Sequence, residues 1–588
     1  MSHTIHSNRT KNKKSVTKLT ELLSEIQLAN DLPVEATLGG GPRQVYQAGL
    51  SYVDLDPAPC PTLLSFSTEV ASWFKLTKDH IDQFIPVLSG SESLPDITPY
   101  ATCYGGHQFG AWAGQLGDGR ATSLGIFKGL KWEDLSKNPD TFPYKSKQQF
   151  IDTHGLGNPD EPQWEWQLKG AGITPYSRRG DGKAVLRSSV REYLCSEAMA
   201  ALGVPTTRAL SLVDTGEKVW RDMFYNGNAK QERGAIVCRV APSFVRFGHF
   251  ELPSSRGDYT LTRLWVDHVI KRHFFPLWGE TTQQEVNEEH ILRWFTELSQ
   301  RTSFLISEWM RVGFVHGVMN TDNMSALGLT IDYGPYGWID DFDLVWTPNT
   351  TDFGQRRYCF GRQADMAHWN LSRLAFALAP LVKDIEPFIE LLEEWPDLFR
   401  KEFARMFCRK LGTLSGTEPG LNQSEQEREL INLGMKVWPK AELDMTLFFR
   451  ALGQLELHKT PTEWQSQLRH TLYEDDGRLS TAERQKGREE LWDWLNKYYL
   501  YLGSIKARQS PERREEVMNK TNPIYVLRNY LAQEAIDGLE QGDRQPLETL
   551  KKILMNPYVE QTDANHVAKL RPQWARTKPG CSTLSCSS

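Results

Sequence analysis

The chain has 588 residues, 39% hydrophobic and 24% charged, which is the profile of a folded protein with several domains or one large bilobal core with an extension. A net charge of −6 and a pI near 6.2 give no bulk attraction for nucleic acid, and no apolar run approaches the roughly 18–20 residues that span a bilayer, so neither nucleic acid nor a membrane is expected as a partner. Eight cysteines in so long a chain make no disulfide framework, which suits a reducing compartment.

The first stretch, "MSHTIHSNRTKNKKSVTK", is basic, rich in Ser and Thr, and free of acids until Glu21. It shares part of the composition of a mitochondrial presequence but is poor in Arg and has no amphipathic stripe, so residues 1–38 read as a disordered or targeting tail. Gly39 to Leu63 is Gly- and Pro-rich and is expected to wrap a surface in extended form. "EVASWFKL" and "DHIDQFIPVLSG" read as short helices. The second half of "CYGGHQFGAWAGQLGDGRATSLGIF" reads as strand–turn–strand, because "ATSLGIF" alternates. Lys128 to Glu161 is polar and reads as an insertion.

"WEWQLKGAG" is a strand with Trp164, Trp166 and Leu168 on one face and Glu165, Gln167 and Lys169 on the other. "SSVREYLCSEAMAALGVP" is a helix with Ser caps and a closing Gly203. "ALSLVDTG" and "AIVCRVAPSFVRFGHF" read as strands. After Asp258 helical periodicity dominates, first in "TLTRLWVDHVIKRHF" and "EEHILRWFTELSQRTSFLISEWMRVG", then over much of 365–554. "RLAFALAPLV" reads as a buried helix. Strands followed by helices give an α+β class. The expected division is a strand-rich N-lobe (39–235), a helical C-lobe (236–420) and a helical C-terminal extension (421–588). Cys60, Cys103, Cys195, Cys238, Cys359 and Cys408 are expected mostly as small core residues. Cys581 and Cys586, in the polar "CSTLSCSS", are expected to be exposed and reactive.

The chemistry centres on "HGVMNTDNMSALGLTIDYGP", which resembles a protein-kinase catalytic loop, H-R-D-L-x-x-x-N, followed by D-F-G. His316 and Asn323 have the kinase separation, and Asp332-Tyr333-Gly334 stands for D-F-G. The position of the catalytic Asp holds Val318, which accepts no proton; Asp322, beside Asn323, is the acid able to replace it. Asn323 and Asp332 offer hard oxygen ligands suited to Mg²⁺ or Mn²⁺. Lys169, followed by a helix bearing Glu192 and Glu197, matches the kinase Lys–Glu pair, with Glu192 the preferred partner. Gly117 and Gly119 can bring N–H groups to a phosphate beside Arg120, and "RGDGK" around Asp181 and Gly182 is a second such turn. Arg239 and Arg246 reach one pocket if the chain bends at Pro242, and guanidinium suits bidentate phosphate binding.

Together these strings resemble the selenoprotein O family, YdiU-type proteins in bacteria. "GHQFGAWAGQLGDGRA", "QLKGAGITPYSRRGDGKAVLRSSVREYLCSEAMAALGVPTTRA", "CRVAPSFVRFGHFE", "HGVMNTDNMSALGLTIDYGP" and "NPIYVLRNYLA" carry the likeness, from about Gly41 to the terminal "SCSS". The resemblance implies a protein-kinase-like bilobal fold, ATP bound in inverted orientation, and transfer of AMP to Ser, Thr or Tyr hydroxyls of proteins. Some members also use UTP. Carried over, it implies that Gly117, Gly119, Arg120, Lys169, Asp181, Gly182, Arg239, Arg246 and Asp332 contact nucleotide. Asn323 and Asp332 would bind Mg²⁺ or Mn²⁺, and Asp322 would accept the proton. Cys586 stands where animal members have selenocysteine. The location implied is cytoplasmic for a bacterial member and mitochondrial for a eukaryotic one. Two alternatives remain at this point: a kinase transferring γ-phosphate, and a pseudokinase scaffold without catalysis.

Overall fold

The strand-rich half is organised around β7, Gln163–Lys169. The computed structural model describes residues 18–588 other than 26, 38, 40, 138–143, 224–225, 475–478, 582 and 586–588. Residues 1–17 of the expected N-terminal tail, and Cys586, therefore lie outside the described residues, whereas the described part of 18–37 is no loose tail: Leu19, Leu28 and Leu32 are buried, and Asp31 pairs with Arg272 at 2.8 Å. Strands β1 (Leu50–Tyr52), β2 (Thr62–Phe66), β3 (Tyr100–Thr102), β6 (Ala121–Lys128), β8 (Arg208–Arg221) and β9 (Lys230–Ala241) join β7 in one antiparallel sheet of order β1-β3-β6-β7-β9-β8-β2. β4 (Gly105–Gln108) and β5 (Ala111–Gln115) form a separate hairpin.

The alternation read in β7 sets what each face of the sheet does. Trp164, Trp166 and Leu168 join Trp73, Phe74, Phe84, Cys238 and Val240 in an apolar cluster. Two indoles burying about 150–250 Å² each, at about 25 cal/mol per Å², contribute several kcal/mol. That fixes the register, because a slip of one residue would turn Glu165 and Lys169 into the cluster. The other face carries Glu165, Gln167 and Lys169, all buried. Their strand partners Ala241, Arg239 and Val237 lie opposite on β9. Glu165, Gln167 and Lys169 are thus an enclosed polar row rather than a solvated one.

Helix α1, Leu186–Ala201, packs beside that row. It begins earlier than the expected Ser caps: its N-cap is Val185, with no side-chain cap. Ser188 donates to the Val185 carbonyl at 3.0 Å and Ser189 to that of Ala235 on β9 at 3.2 Å, so neither hydroxyl caps the helix. Gly203, at φ 78, closes it as expected. The strand expected through "APSFVRFGHF" stops at Ala241; Pro242 bends the chain, and residues 248–255 form helix α2 (Gly248–Ser255).

The segment 128–161 is not a loose insertion. Its described part contains helices Trp132–Leu135 and Lys147–His154, and Leu135 and Phe150 enter the apolar cluster under β7. Tyr144 Oη bonds His154 Nε2 at 2.7 Å and accepts from Arg208 at 3.2 Å.

Past α2 the fold is helical. Helix α3 (Glu288–Val312) starts with an Asn287–His290 capping box and ends at Gly313, φ 81. It leads into β10 (Phe314–Val315), which pairs with β11 (Gly337–Trp338). The loop between them, 316–336, contains the whole kinase-like motif, so α3 and a two-strand clasp position it. Helix α4 (Gln363–Leu378) contains most of "RLAFALAPLV", yet Phe376 is 75% exposed, so this helix is amphipathic rather than wholly buried. No described helix is long and apolar enough to cross a membrane. The C-terminal helices return to the strand-rich half. Arg528 pairs with Asp340 at 2.9 Å and Asp444 at 2.8 Å, and Glu548 accepts from Ser65 of β2 at 2.5 Å.

Candidate functional site

The site lies where β7, β9, α1 and the 316–336 loop meet, and its centre is Asp332. Lys169 Nζ sits 2.7 Å from Glu192 on α1 and 3.0 Å from Asp332 Oδ1. Arg239 Nη1 bridges the same carboxylates at 3.2 and 3.1 Å. Arg246 Nη1 donates to Asp332 Oδ2 at 2.7 Å and to the Asp322 carbonyl at 2.8 Å. The bend after Ala241 thus brings both arginines to one point, as the sequence suggested. Of the two acids on α1, Glu192 is the partner of Lys169; Glu197 pairs with Arg208 at 2.7 Å.

Asp332 is held at φ 64, a left-handed conformation that Asp and Asn tolerate better than most residues. Burial works to raise its pKa, but Lys169, Arg246 and Arg239 outweigh burial and hold the carboxyl well below its ordinary range. It stays ionised at any working pH.

Asp322 is the opposite case. Its side chain is buried, and burial pushes its pKa up to about 7 despite the opposing effects of Gln108 and Arg246. Oδ2 accepts from Gln108 Nε2 at 3.1 Å, while Oδ1 is buried without a hydrogen-bond partner. A carboxylate with a free oxygen and a pKa near neutrality is suited to proton transfer. Val318 contributes only its carbonyl, which accepts from Asn323 Nδ2 at 2.8 Å. His316 Nε2 lies 3.0 Å from the Ile331 carbonyl and ties the two ends of the motif together.

With its Nδ2 committed to Val318, Asn323 has its amide oxygen left for a ligand, and Asp332 supplies an ionised carboxylate. Among the described residues no group of three or more His, Cys, Asp or Glu could hold a metal by itself. This donor set fits Mg²⁺ or Mn²⁺ of the kind that takes one or two protein oxygens and completes its shell with phosphate and water.

The glycine turns lie at the Lys169 end of β7. Ala121 pairs with Lys169, and Gly170 N donates to the Arg120 carbonyl at 2.7 Å. Gly117, at φ 95, leaves no space for a Cβ, which would collide with the Tyr176 ring; a Cβ on Gly119 would meet the Tyr176 carbonyl oxygen at 2.8 Å. Turn 180–183 reaches the same end through the Ala171–Lys183 bridge. Asp181, however, pairs with Arg221 at 2.7 Å and among the described residues has no hydrogen bond or ion pair to the Lys169 cluster, and Gly182 packs on the Gly172 backbone. Arg120 has no side-chain partner among the described residues.

Several participants escaped the sequence reading. Asp118 is buried 3.8 Å from Arg246 Nη2 and accepts from Thr102 Oγ1 at 2.5 Å; burial raises its pKa. Hairpin β4–β5 crosses from the sheet to the 316–336 loop. His107 N donates to Thr321 Oγ1 at 2.7 Å, and Phe109 N to Asn320 Oδ1 at 3.2 Å. The available signal was "HQFGAW", two strands joined at Phe109-Gly110, whose φ values of 51 and 85 suit a two-residue primed turn. Phe in the first turn position hid it, since Asn or Asp is usual there.

The cysteine expectations divide. Cys103, Cys195, Cys238, Cys359 and Cys408 are buried, and Cys60 is exposed. Cys581 is buried rather than exposed, because Leu584 forms a β-bridge with Asn349 and draws the tail onto the helical half. Burial pushes its thiol up to about 11.

Comparison with known proteins matches this arrangement to one family. The family model described as protein adenylyltransferase SelO matches residues 45–139 and 154–555, and its interruption falls within the 128–161 segment. A protein nucleotidyltransferase YdiU of Tolumonas auensis is 48% identical over 562 residues, covering 95% of this chain and 98% of that protein. Proteins of the same name from an Azoarcus species and from Aromatoleum aromaticum are each 46% identical over 573 residues, covering 96% and 97% of this chain and 99% and 100% of theirs. With its lysine, arginines and paired acids gathered on the 316–336 loop and the family matched over nearly its whole length, the chain belongs to the SelO family and is a nucleotidyltransferase enzyme.

Proposed function

We propose that this enzyme transfers AMP from ATP, and in a second use UMP from UTP, to Ser, Thr or Tyr hydroxyls of proteins, within a protein-kinase-like bilobal fold that holds the nucleotide inverted. The observation that carries the reading is the convergence of Lys169, Arg239 and Arg246 on the Asp332 carboxylate. A kinase positions its phosphates with a strand Lys and a helix Glu. Here two further buried guanidinium groups stand on and just beyond the neighbouring strand, enough for a triphosphate tail. Seating that tail on Arg239 and Arg246 leaves the α-phosphorus toward Asp322.

The acceptor hydroxyl oxygen then attacks the α-phosphorus, a P–O bond forms, the α–β anhydride bond breaks, and pyrophosphate leaves. Asp322 takes the hydroxyl proton on its unpartnered Oδ1. Gln108 orients that carboxylate through Oδ2, and Arg246 fixes the backbone at Asp322. Asn323 and Asp332 would hold Mg²⁺ or Mn²⁺. When bound, the ion supplies charge neutralisation at the phosphates. Gly117, Gly119 and Arg120 line the end of β7 as a second nucleotide contact, and Asp181 and Gly182 shape the adjoining turn.

The test supplies ATP labelled at the α- or the γ-phosphorus, with Mg²⁺ or Mn²⁺, and follows label into protein. The α-label is expected on protein with pyrophosphate released. Transfer of γ-label alone would make the enzyme a kinase, and no transfer from either would favour a scaffold.

A further inference from the structure

Hairpin β4–β5 has two faces with different surroundings. Cross-strand pairing sets Gln108 opposite Ala111 and His107 opposite Trp112. The Gly106 and Gln108 face looks onto Asp322: a Cβ on Gly106 would lie 3.0 Å from the Asp322 Cβ. Ala111, Trp112 and Ala113 are exposed, and among the described residues β5 pairs with no strand but β4. Strand β4, whose His107 and Phe109 N–H groups bond the 320–321 loop, thus lies between the proposed base and the open edge of β5.

The other face and the tip meet the helical half. The His107 ring centroid lies 5.0 Å from that of Trp112 and 5.4 Å from that of Trp369. Arg357 and Arg373 lie over Trp369, at 4.8 and 5.3 Å from its centroid. A Cβ on Gly110, at the hairpin tip, would sit 3.5 Å from the Arg357 guanidinium carbon. Among the described residues neither arginine forms an ion pair, and the Nε of each is buried without a hydrogen-bond partner. The Arg357 side chain bonds the Tyr358 hydroxyl, and two acids of the platform have other partners. Asp352 accepts from the backbone N–H groups of Arg357 and Tyr358 at 2.9 and 2.8 Å, and Glu251 pairs with His107 at 2.6 Å.

We propose that this platform docks the acceptor polypeptide as an extended acidic segment. The segment crosses the tip of the hairpin, places an Asp or Glu on Arg357 and Arg373, and presents its hydroxyl to Asp322 on the Gly106 and Gln108 face. The charge of the platform selects the partner, since two guanidinium groups over an indole, neither in an ion pair among the described residues, favour a carboxylate. Continuity with the site selects the place, since Gln108 of the same hairpin bonds Asp322 and Gly110 at its tip meets Arg357. The distance sets the spacing. Gly110, in the turn, is two residues and so at most about 7 Å from Gln108, which, with the Gln side chain at one end and the Arg357 contact at the other, sets the arginines about 10 Å from Asp322. The acid therefore falls about three residues from the modified hydroxyl.

This inference rests on the proposed transfer to protein, and the experiment separates the two. Peptides with a single Ser, and Glu or Lys two, three or four positions to either side, are offered with α-labelled ATP to the full-length enzyme and to Arg357→Glu, Arg373→Glu and Arg357→Gln. ATP affinity is followed separately by titration with a fluorescent nucleotide. The wild type is expected to label the Glu peptides at least tenfold better in kcat/KM than the Lys peptides, most strongly at three positions. The charge-reversed variants should lose or invert that preference with ATP affinity unchanged. Arg357→Gln should reduce it severalfold, and it decides the matter if Arg357→Glu does not fold. Equal labelling of Glu and Lys peptides, or an acidic preference that survives charge reversal, overturns the docking proposal. Label on the enzyme itself but on no peptide overturns it as well. No α-label anywhere, with no pyrophosphate formed, is instead the failure of the transfer reading, and the docking proposal falls with it.

Discussion

Replacing Asp332 by Asn tests whether its carboxylate holds the place that phosphate takes. Asn retains the shape and tolerates the φ of 64, so the backbone is not strained and only the charge is lost. Three cations then lose a shared partner: Lys169 at 3.0 Å, Arg239 at 3.1 Å and Arg246 at 2.7 Å. Removing one member of a buried ion cluster costs about 3–5 kcal/mol. With 27% of the Asp332 side chain reaching solvent, and Glu192 still bridging Lys169 and Arg239, the lower end of that range applies. The ligand-free variant should therefore unfold about 2–3 °C below the wild type. The same loss should help metal-free nucleotide binding, because the triphosphate no longer competes with Asp332 for the three cations. A gain of about 1–2 kcal/mol is a factor of about 5–30 in affinity. The assay is thermal unfolding with and without ATP in excess EDTA, together with nucleotide titration under the same conditions. Metal-dependent transfer should be abolished in parallel. A variant that unfolds at the wild-type temperature and binds ATP in EDTA no more tightly would refute the idea that Asp332 occupies the phosphate position.

Asp322→Ala should lower turnover by about 10²–10⁴ while nucleotide affinity is kept, as measured by single-turnover transfer alongside ATP titration; loss of binding too would make Asp322 a structural residue. Arg239→Ala and Arg246→Ala should each weaken ATP binding by about 1.5–3 kcal/mol, with Arg246→Ala also slowing transfer because it anchors the Asp322 backbone; equal kcat values in the two would contradict that second role. Gly117→Ala places a methyl group in the Tyr176 ring and should raise KM for ATP with a lower unfolding temperature, whereas unchanged kinetics would show that the turn does not touch nucleotide. Among the described cysteines, Cys60 should be alkylated first and Cys581 only on unfolding, and peptide mapping that finds Cys581 modified as fast as Cys60 would show that the tail does not stay docked.

The sequence alone determined the chemistry-bearing residues of short, contiguous strings. Lys169 on an alternating strand, Glu192 on a helix of clear period, and Asp322, Asn323 and Asp332 in one loop were legible because strand and helix periods assign faces locally. Even the bend that joins Arg239 and Arg246 could be read, from Pro242. Tertiary structure decided what depends on segments far apart in the chain. Gln108 meets Asp322 across 214 residues, and nothing local in "GGHQFG" announces that contact. Periodicity gives the face of a strand but not what lies opposite, so the row of Glu165, Gln167 and Lys169 could be recognised as polar but not as enclosed. The same limit hid the docking of Cys581 and Leu584: a polar tail becomes buried only when another part of the chain offers it hydrogen bonds, here the bridge from Leu584 to Asn349. Local sequence carries the period of a side-chain pattern, whereas burial and pairing are properties of whatever the fold sets against it.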